Sequence, residues 1–228
     1  LNVYGPPGLR QLFKVLGPLI GKPGFDIRVT ELDSGEDLER DGYVMAAFSV
    51  KHRVPGFGYA LIEDDRPGRF DEARARELGV EPGPDFGRLQ RGEKVETAQG
   101  TVAPEQVLGP DRLGRKLVFS GDTAPCDMVR GEAEGADLLV HEATFVHDDL
   151  ARARETGHST ARQAGMLAAD ARADLLDLTH LSTRYLVRDI RDEARAEFAD
   201  TVVPRDFDRV EVPFPERGDP VLVRGDDD

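Results

Sequence analysis

The stretch Lys116-Leu117-Val118-Phe119-Ser120-Gly121-Asp122 joins a short apolar segment to a carboxylate, and this pattern recurs along the chain. Three other apolar segments run into polar, metal-competent side chains: residues 43–50 into His52, 136–140 into His141-Glu142, and 175–178 into Thr179-His180. Strand ends in layered α/β folds commonly converge, so residues far apart in sequence can meet at one site. Two imidazoles and a carboxylate suit zinc or a similar divalent ion, and a carboxylate can bridge two metals. The pattern therefore predicts an α/β fold with a metal site at converging strand ends.

The composition narrows the class of protein. The 228 residues are enough for one large domain or two small ones. No window approaches the ~20 consecutive apolar residues of a membrane-spanning helix, and no secretory leader is evident. We therefore expect a cytoplasmic protein without a membrane partner. The single cysteine, Cys126, excludes a disulfide framework and a cysteine-rich zinc module.

The charge is strongly acidic, since 44 acidic and 30 basic residues give a net charge of −14. The basic set contains only five lysines, and tryptophan is absent. A dense carboxylate surface stays hydrated in concentrated salt, which screens its self-repulsion. The composition therefore indicates a halophilic protein, the alternative being an ordinary acidic enzyme with an arginine-rich codon bias. If the negative charge is an adaptation to concentrated salt, it does not exclude a nucleic-acid partner. The three C-terminal aspartates, residues 226–228, are expected to form a solvated tail.

Secondary structure can be predicted from periodicity and turn signals. The chain opens inside a strand, residues 1–4, and the turn Gly5-Pro6-Pro7-Gly8 leads into a helix that is expected to stop at Gly17-Pro18. A strand with nothing before it to pair with indicates that an N-terminal portion is missing. Further strands are predicted at 25–32, 43–50, 58–63, 116–120, 136–140, 175–178, 202–203 and 210–212, with helices at 70–78, after an N-cap at Ser159, and at 186–198.

Residues 64–94 differ in texture from the rest of the chain. Proline, glycine and seven basic side chains interrupt the apolar pattern there. Such a composition is more typical of a protruding arm than of a core segment. A plain solvated insertion is the other interpretation.

Seven motifs occur in order along nearly the whole chain: Tyr4-Gly5-Pro6-Pro7-Gly8, Ser49-Val50-Lys51-His52 with Gly58-Tyr59, residues 78–84, Phe119-Ser120-Gly121-Asp122-Thr123, His141-Glu142-Ala143-Thr144-Phe145, Gly157-His158-Ser159-Thr160 and residues 178–185. With these motifs the chain resembles the ribonuclease Z family, the tRNA 3′-processing endonucleases of the metallo-β-lactamase superfamily. Each motif is weak by itself, but the ordered set is specific.

The resemblance implies a role for each matched residue. His52 and His180 would each bind one of two Zn²⁺ ions per subunit, with Mn²⁺ or Mg²⁺ as alternatives, and Asp122 would bridge the ions. Glu142 and His158 would form the pair that protonates the leaving 3′ oxygen, and Ser182 and Arg184 would contact the scissile phosphate. The arm would grip precursor tRNA through Arg74, Arg76, Pro82, Gly83, Pro84, Arg88 and Arg91. The resemblance also implies a homodimer.

The chain departs from the family pattern in two respects. The signature His-x-His-x-Asp-His, which supplies most of the remaining metal ligands, is absent, so this chain alone is expected to be inactive. The arm is also less basic than a tRNA grip would require. Plainer interpretations exist for each residue: His52 could end a hairpin strand, Asp122 could cap a helix, His158 could be a surface residue, and Glu142 could pair with an arginine.

The sequence thus predicts one α/β domain over residues 1–228, a metallo-β-lactamase-like four-layer αββα sandwich without its N-terminal strands and first metal-ligand motif. An arm is inserted at about 64–94. The predicted function is metal-dependent removal of the 3′ trailer from precursor tRNA, which leaves a 3′-hydroxyl on the tRNA. Two rivals remain: a phosphodiesterase of the same superfamily acting on small substrates, which would tolerate deletion of residues 70–94, and an inactive truncated binding partner.

Overall fold

The computed structural model describes residues 1–21 and 23–225, so the predicted acidic tail, 226–228, lies outside the described residues. Two compact units are present. The first comprises Leu1–Ile62 and Arg115–Asp228, and the second comprises Glu63–Gly114.

The elements follow one another in a mixed α/β order. The strands are β1 (Asn2–Gly5), β2 (Arg28–Glu31), β3 (Asp37–Arg40), β4 (Tyr43–Ser49), β5 (Phe57–Glu63), β6 (Val95–Thr97), β7 (Gly100–Val102), β8 (Lys116–Phe119), β9 (Leu138–Glu142), β10 (Leu175–Thr179), β11 (Thr201–Val202), β12 (Arg209–Glu211) and β13 (Val221–Val223). The helices are α1 (Leu9–Ile20), α2 (Glu72–Glu77), α3 (Pro84–Gln90), α4 (Asp127–Glu132), α5 (Leu150–Thr156), α6 (Ala161–Ala171) and α7 (Val187–Arg195).

The first unit is built on a seven-stranded sheet with the strand order β11-β10-β9-β8-β5-β4-β3. The four strands from β8 to β11 run parallel, whereas β5 is antiparallel to β8 and β3 is antiparallel to β4. Parallel strands place their carboxyl ends along one edge of a sheet, where α/β proteins bind their ligands. The residues after β8, β9 and β10 therefore lie side by side.

The core of this unit lies between the sheet and α4, α6 and α7. Helix α6 buries the small and apolar face that its spacing predicts: Ala164, Leu167, Ala168 and Ala171. Close approach requires glycine at one strand position, because a Cβ on Gly58 would stand 2.4 Å from the ring of Phe48. Tight contacts of this kind keep the strands that carry the site in a fixed register.

The second unit has a core of its own. Ala75, Val80, Leu89, Val95, Val102 and Val107 are buried together, with Phe70, Leu78 and Phe86 packed against them. The segment predicted as an arm, 64–94, lies inside this unit, which continues to Gly114. The predicted helix at 70–78 is α2, whose N-cap Asp71 accepts the N–H of Arg74 at 2.8 Å. Helix α3, which begins at Pro84, was not predicted.

Several sequence predictions need correction. Helix α1 continues through Pro18 to Ile20, because the N–H of Gly21 still closes the last turn on the Gly17 carbonyl at 3.0 Å. Ser159 is not the N-cap of α6, because its hydroxyl donates to the Thr123 carbonyl at 2.6 Å and Thr160 caps the helix instead.

The strands also differ from the prediction. Strand β1 pairs in parallel with β2, which follows it along the chain. Strands β3, β6, β7 and β13 were missed, and β3 lacks an apolar alternation because it is a polar strand at the edge of the sheet. No helix among the described residues reaches the length and apolarity that crossing a membrane requires.

Candidate metal centre and active site

Strand ends of the first unit bring the predicted site residues together. Asp122 follows β8, Glu142 is the last residue of β9, and His180 comes directly after β10. His52 lies just beyond β4, where Lys51 bridges to Ala124 beside Asp122. His158 follows the turn that ends α5.

The imidazoles of this cluster are in mutual contact. The ring centroids of His52 and His158 lie 4.8 Å apart, and those of His158 and His180 lie 5.2 Å apart in a stacked arrangement. His180 Nε2 is 3.7 Å from Asp122 Oδ2. Two groups of side chains could each hold a metal ion, because the ligand atoms within each group lie within 4.8 Å of one another. The first group is His52, Asp122 and His158, and the second is Glu142, His158 and His180. The geometry brings the three predicted metal ligands together and places His158 among them.

Glu142 is the buried centre of the hydrogen-bond network. Its side chain is fully buried. Oε1 accepts the N–H of Thr123 at 2.7 Å and Nδ1–H of His158 at 2.7 Å. Oε2 accepts the Thr144 hydroxyl at 2.6 Å, the Ser159 N–H at 3.1 Å and the Thr144 N–H at 3.3 Å. Since every partner is a donor, the arrangement suits an ionised carboxylate.

Hydrogen bonds at Nδ1 fix the tautomers of His52 and His158. His52 Nδ1 lies 2.9 Å from the Gly157 carbonyl, which can only accept, so Nδ1 carries the proton. A carboxylate likewise requires the proton of His158 on Nδ1. In the neutral form, both rings thus keep a lone pair on Nε2. This atom is available to bind a divalent metal ion or a proton that is to be transferred.

Gly157 has a specific role at this position. Its φ of +78° lies in the left-handed region that favours glycine, and a Cβ there would stand 3.3 Å from His52 Nδ1. A side chain at residue 157 would therefore press on the ring that the carbonyl of the same residue orients.

The loop after β10 carries the remaining predicted residues of the centre. His180 has a φ of +55°, which is unusual for a residue other than glycine. Ser182 Oγ accepts the N–H of Arg184 at 3.4 Å, and the Arg184 side chain is exposed. The hydroxyl of Tyr185 donates to Asp149 and anchors the end of the loop; burial, together with this bond, raises the pKa of Tyr185 to about 12.

The predicted tRNA-contacting residues lie in the second unit, and the four arginines among them are paired with carboxylates there. Arg74 contacts Glu77, and Arg76 contacts Glu72. Arg88 bonds to Asp85 at 3.2 Å and Glu93 at 3.1 Å, and Arg91 also bonds to Glu93. Pro82, Gly83 and Pro84 form the entry to α3, with Pro84 in its first turn.

Sequence reasoning missed the groups that orient the centre. Thr144 contacts Glu142 and His180, and backbone groups of Thr123 and Gly157 hold Glu142 and His52. Backbone contacts of this kind leave no mark on residue type. Thr144, however, stands two residues after Glu142 in a quoted motif, and a hydroxyl at that spacing was a usable signal.

Comparisons with known proteins agree with this geometry. Residues 96–181 match the family model for the Beta-lactamase superfamily domain. The chain is 48% identical to ribonuclease Z of Halorubrum lacusprofundi over 222 residues, which cover 95% of this chain and 72% of that protein. It is 50% identical to ribonuclease Z of Myxococcus xanthus over 187 residues, 81% of this chain and 61% of that protein.

A solved structure shows the same fold. Human tRNase Z, short form, superimposes with a TM-score of 0.57 at 23% identity, covering 93% of this chain and 68% of that one. The predicted α/β metallo-β-lactamase fold is therefore confirmed.

Proposed function

This chain belongs to the ribonuclease Z family, and from that premise we propose that the protein is a metal-dependent endoribonuclease that removes the 3′ trailer from precursor tRNA and leaves a 3′-hydroxyl on the tRNA. The observation that carries the proposal is the meeting of His52, Asp122 and His180 beside the buried Glu142–His158 pair. The relatives reported above are named ribonuclease Z, so the small-substrate phosphodiesterase and the inactive binding partner are not favoured.

The donor set fits a zinc-type ion. His52 offers Nε2, Asp122 lies in one ligand group with it, and Oδ2 of Asp122 lies 3.7 Å from His180 Nε2. Imidazole nitrogen and carboxylate oxygen are the ligands that suit Zn²⁺, with Mn²⁺ as a harder alternative. Ions held by these residues would supply charge stabilisation at the scissile phosphate and activation of water. Two ions per subunit is part of the proposal.

His158 is the proposed general acid. Glu142 accepts its Nδ1–H at 2.7 Å and orients the ring, so that a proton carried on Nε2 can be delivered to the leaving 3′ oxygen. The side chain of His158 is 14% exposed, enough to face a bound substrate while Glu142 stays buried. Its place in both ligand groups leaves metal binding as the competing role for its Nε2.

Substrate binding is assigned to two regions. Ser182 and Arg184, on the loop after β10, would contact the phosphate, since the exposed guanidinium can offer two parallel N–H donors. In the second unit, Arg74, Arg76, Arg88 and Arg91 would exchange their carboxylate partners for tRNA phosphates. Exposed pairs of this kind contribute little to stability because water and salt screen them, so tRNA phosphates can replace the carboxylates at small cost. The homodimer and the cytoplasmic location stay predictions.

The proposal is tested with the gene-encoded protein at high salt. We expect about two metal ions per subunit by elemental analysis and cleavage of a trailer-bearing tRNA at the trailer junction, both diminished in His180→Ala. His147→Ala is the matched control, because that ring contacts Thr160 and lies outside the cluster. Two bound metals without tRNA cleavage would move the assignment to a small-substrate phosphodiesterase. A protein that neither binds metal nor cleaves tRNA would favour the inactive binding partner. The same assay, carried out on this 228-residue chain, tests its predicted inactivity.

The structure also changes how the second unit should be tested. Deletion of residues 70–94 would remove Ala75 and Leu89 from a core that also contains Val95 and Val102. Loss of activity after that deletion would therefore report misfolding as readily as lost tRNA contacts. Single substitutions of the exposed arginines avoid this ambiguity.

A further inference from the structure

We propose that Thr144 is a positioning residue that fixes both the orientation and the tautomer of His180. The inference rests on the proposed metal-dependent function, in which His180 binds an ion. Thr144 follows β9 and is partly buried between Glu142 and His180. Its hydroxyl also lies 3.4 Å from Nδ1 of His158, and its effect on metal binding is exerted through the His180 ring that it holds.

The direction of each hydrogen bond follows from the chemistry of the partners. Thr144 Oγ1 lies 2.6 Å from Glu142 Oε2 and 2.7 Å from His180 Nδ1. A hydroxyl has one proton and an ionised carboxylate can only accept, so the proton of Thr144 goes to Glu142. The oxygen must then accept from His180, which places the imidazole proton on Nδ1. Nε2 of the neutral ring is left with its lone pair, on the side facing Asp122.

His180 depends on this contact more than the other histidines depend on theirs. Its side chain is 47% exposed, and its backbone occupies the left-handed region at φ +55°. Such a backbone persists only where its surroundings hold it. Within the described part of the chain, the Thr144 hydroxyl is the one hydrogen-bond partner of the His180 ring. Without that hydroxyl, the ring can rotate and the Nε2–H tautomer competes with the binding form.

The consequence is a specific loss of metal affinity. Thr144→Val keeps the β-branched shape and removes the hydroxyl, whereas Thr144→Ser keeps the hydroxyl. Removing a partner that orients a metal-bound histidine costs about 10- to 100-fold in metal affinity. We therefore expect Thr144→Val to weaken one of the two Zn²⁺ sites by that factor and Thr144→Ser to restore it. Thr156→Val is the matched control, because the Thr156 hydroxyl donates to carbonyls of its own helix, those of Arg152 at 2.8 Å and Ala153 at 3.4 Å, and lies outside the cluster.

The experiment has two readouts on the gene-encoded protein. Zn²⁺ affinity is measured by competition with a chromophoric chelator. The tautomer of His180 is measured by ¹⁵N NMR of the imidazole in metal-free protein, where we expect protonated Nδ1 in the wild type and in Thr144→Ser, and a mixture in Thr144→Val.

Three results would overturn the inference. The first is an unchanged tautomer in Thr144→Val, and the second is an unchanged Zn²⁺ affinity in that variant. The third is equal loss in Thr144→Ser and Thr144→Val, which would assign the effect to packing. A wild type that binds no metal would instead refute the proposed function, while the metal-free NMR comparison would still decide whether Thr144 sets the tautomer.

Discussion

Glu142→Gln tests the buried network, because glutamine preserves the shape of the side chain and replaces one acceptor oxygen with a donor NH₂. If the NH₂ takes the place of Oε1, it faces the N–H groups of Thr123 and His158. If it takes the place of Oε2, it faces the N–H groups of Thr144 and Ser159. With His158 in its Nδ1–H tautomer, either orientation therefore breaks two hydrogen bonds.

The magnitude follows from those two bonds. A hydrogen bond to a charged group contributes about 1.5–3 kcal/mol, so two give about 3–6 kcal/mol. Removal of the buried charge recovers part of its desolvation cost, and we expect a net loss of about 2–4 kcal/mol in the free energy of unfolding.

Urea denaturation at fixed high salt measures this loss, read as a fall in midpoint at unchanged slope. Glu155→Gln is the control, an exposed glutamate on α5, for which a surface substitution should change stability by less than about 0.5 kcal/mol. A Glu142→Gln variant as stable as Glu155→Gln would refute the structural role of the network. Cleavage activity should fall in the first variant and not in the second.

Three further predictions concern pH and salt. The backbone N–H groups of Arg205 and Gly225 lower the pKa of Asp208 to about 2, below its ordinary 3.8. The contribution of Asp208 to the free energy of unfolding is therefore present above pH 4 and is lost as pH falls towards 2. Asp208→Asn should make stability less dependent on pH in that range, as monitored by circular dichroism during acid unfolding. Burial raises the pKa of Asp177 to about 7, so the folded state holds a proton that the unfolded state releases, and stability declines as pH rises from about 4 to 7. Asp177→Asn should abolish that decline in urea melts at pH 5 and pH 8, and an equal decline in both proteins would contradict it. Arg91→Gln should weaken binding of precursor tRNA and lower its salt slope by about 1; an unchanged slope in a filter-binding titration would exclude a phosphate contact there.

Most of the fold was predictable because the parallel strands are short apolar runs with clear ends. The predicted strands at 116–120, 136–140 and 175–178 overlap β8, β9 and β10. Some of the failures share a physical cause. Strand β3 and helix α3 are polar segments whose structure comes from pairing or packing with distant residues, which periodicity does not register. The misplaced cap at Ser159 shows the same limit, since a tertiary bond to Thr123 occupies its hydroxyl.

The site was predictable to the level of residue type and no further. The resemblance named His52, Asp122, Glu142, His158 and His180, and the structure places them in one cluster. Their individual roles stay predictions. What the sequence did not reveal is which atom of each ring is available, because that depends on acceptors contributed by backbone carbonyls and by neighbouring side chains.

Three imidazoles at the centre are anchored at Nδ1 by three different kinds of acceptor: a carbonyl for His52, a carboxylate for His158 and a hydroxyl for His180. The Gly157 carbonyl can only accept a hydrogen bond, so its role toward His52 does not depend on other groups. The Thr144 hydroxyl accepts from His180 only because its own proton is taken by Glu142. His158 and His180 thus depend on the same carboxylate, whereas His52 does not. Glu142→Gln should therefore change the ¹⁵N imidazole signal of His158 if the NH₂ takes the place of Oε1, or that of His180 if it takes the place of Oε2, and leave that of His52 in place, a pattern that general destabilisation of the fold would not produce.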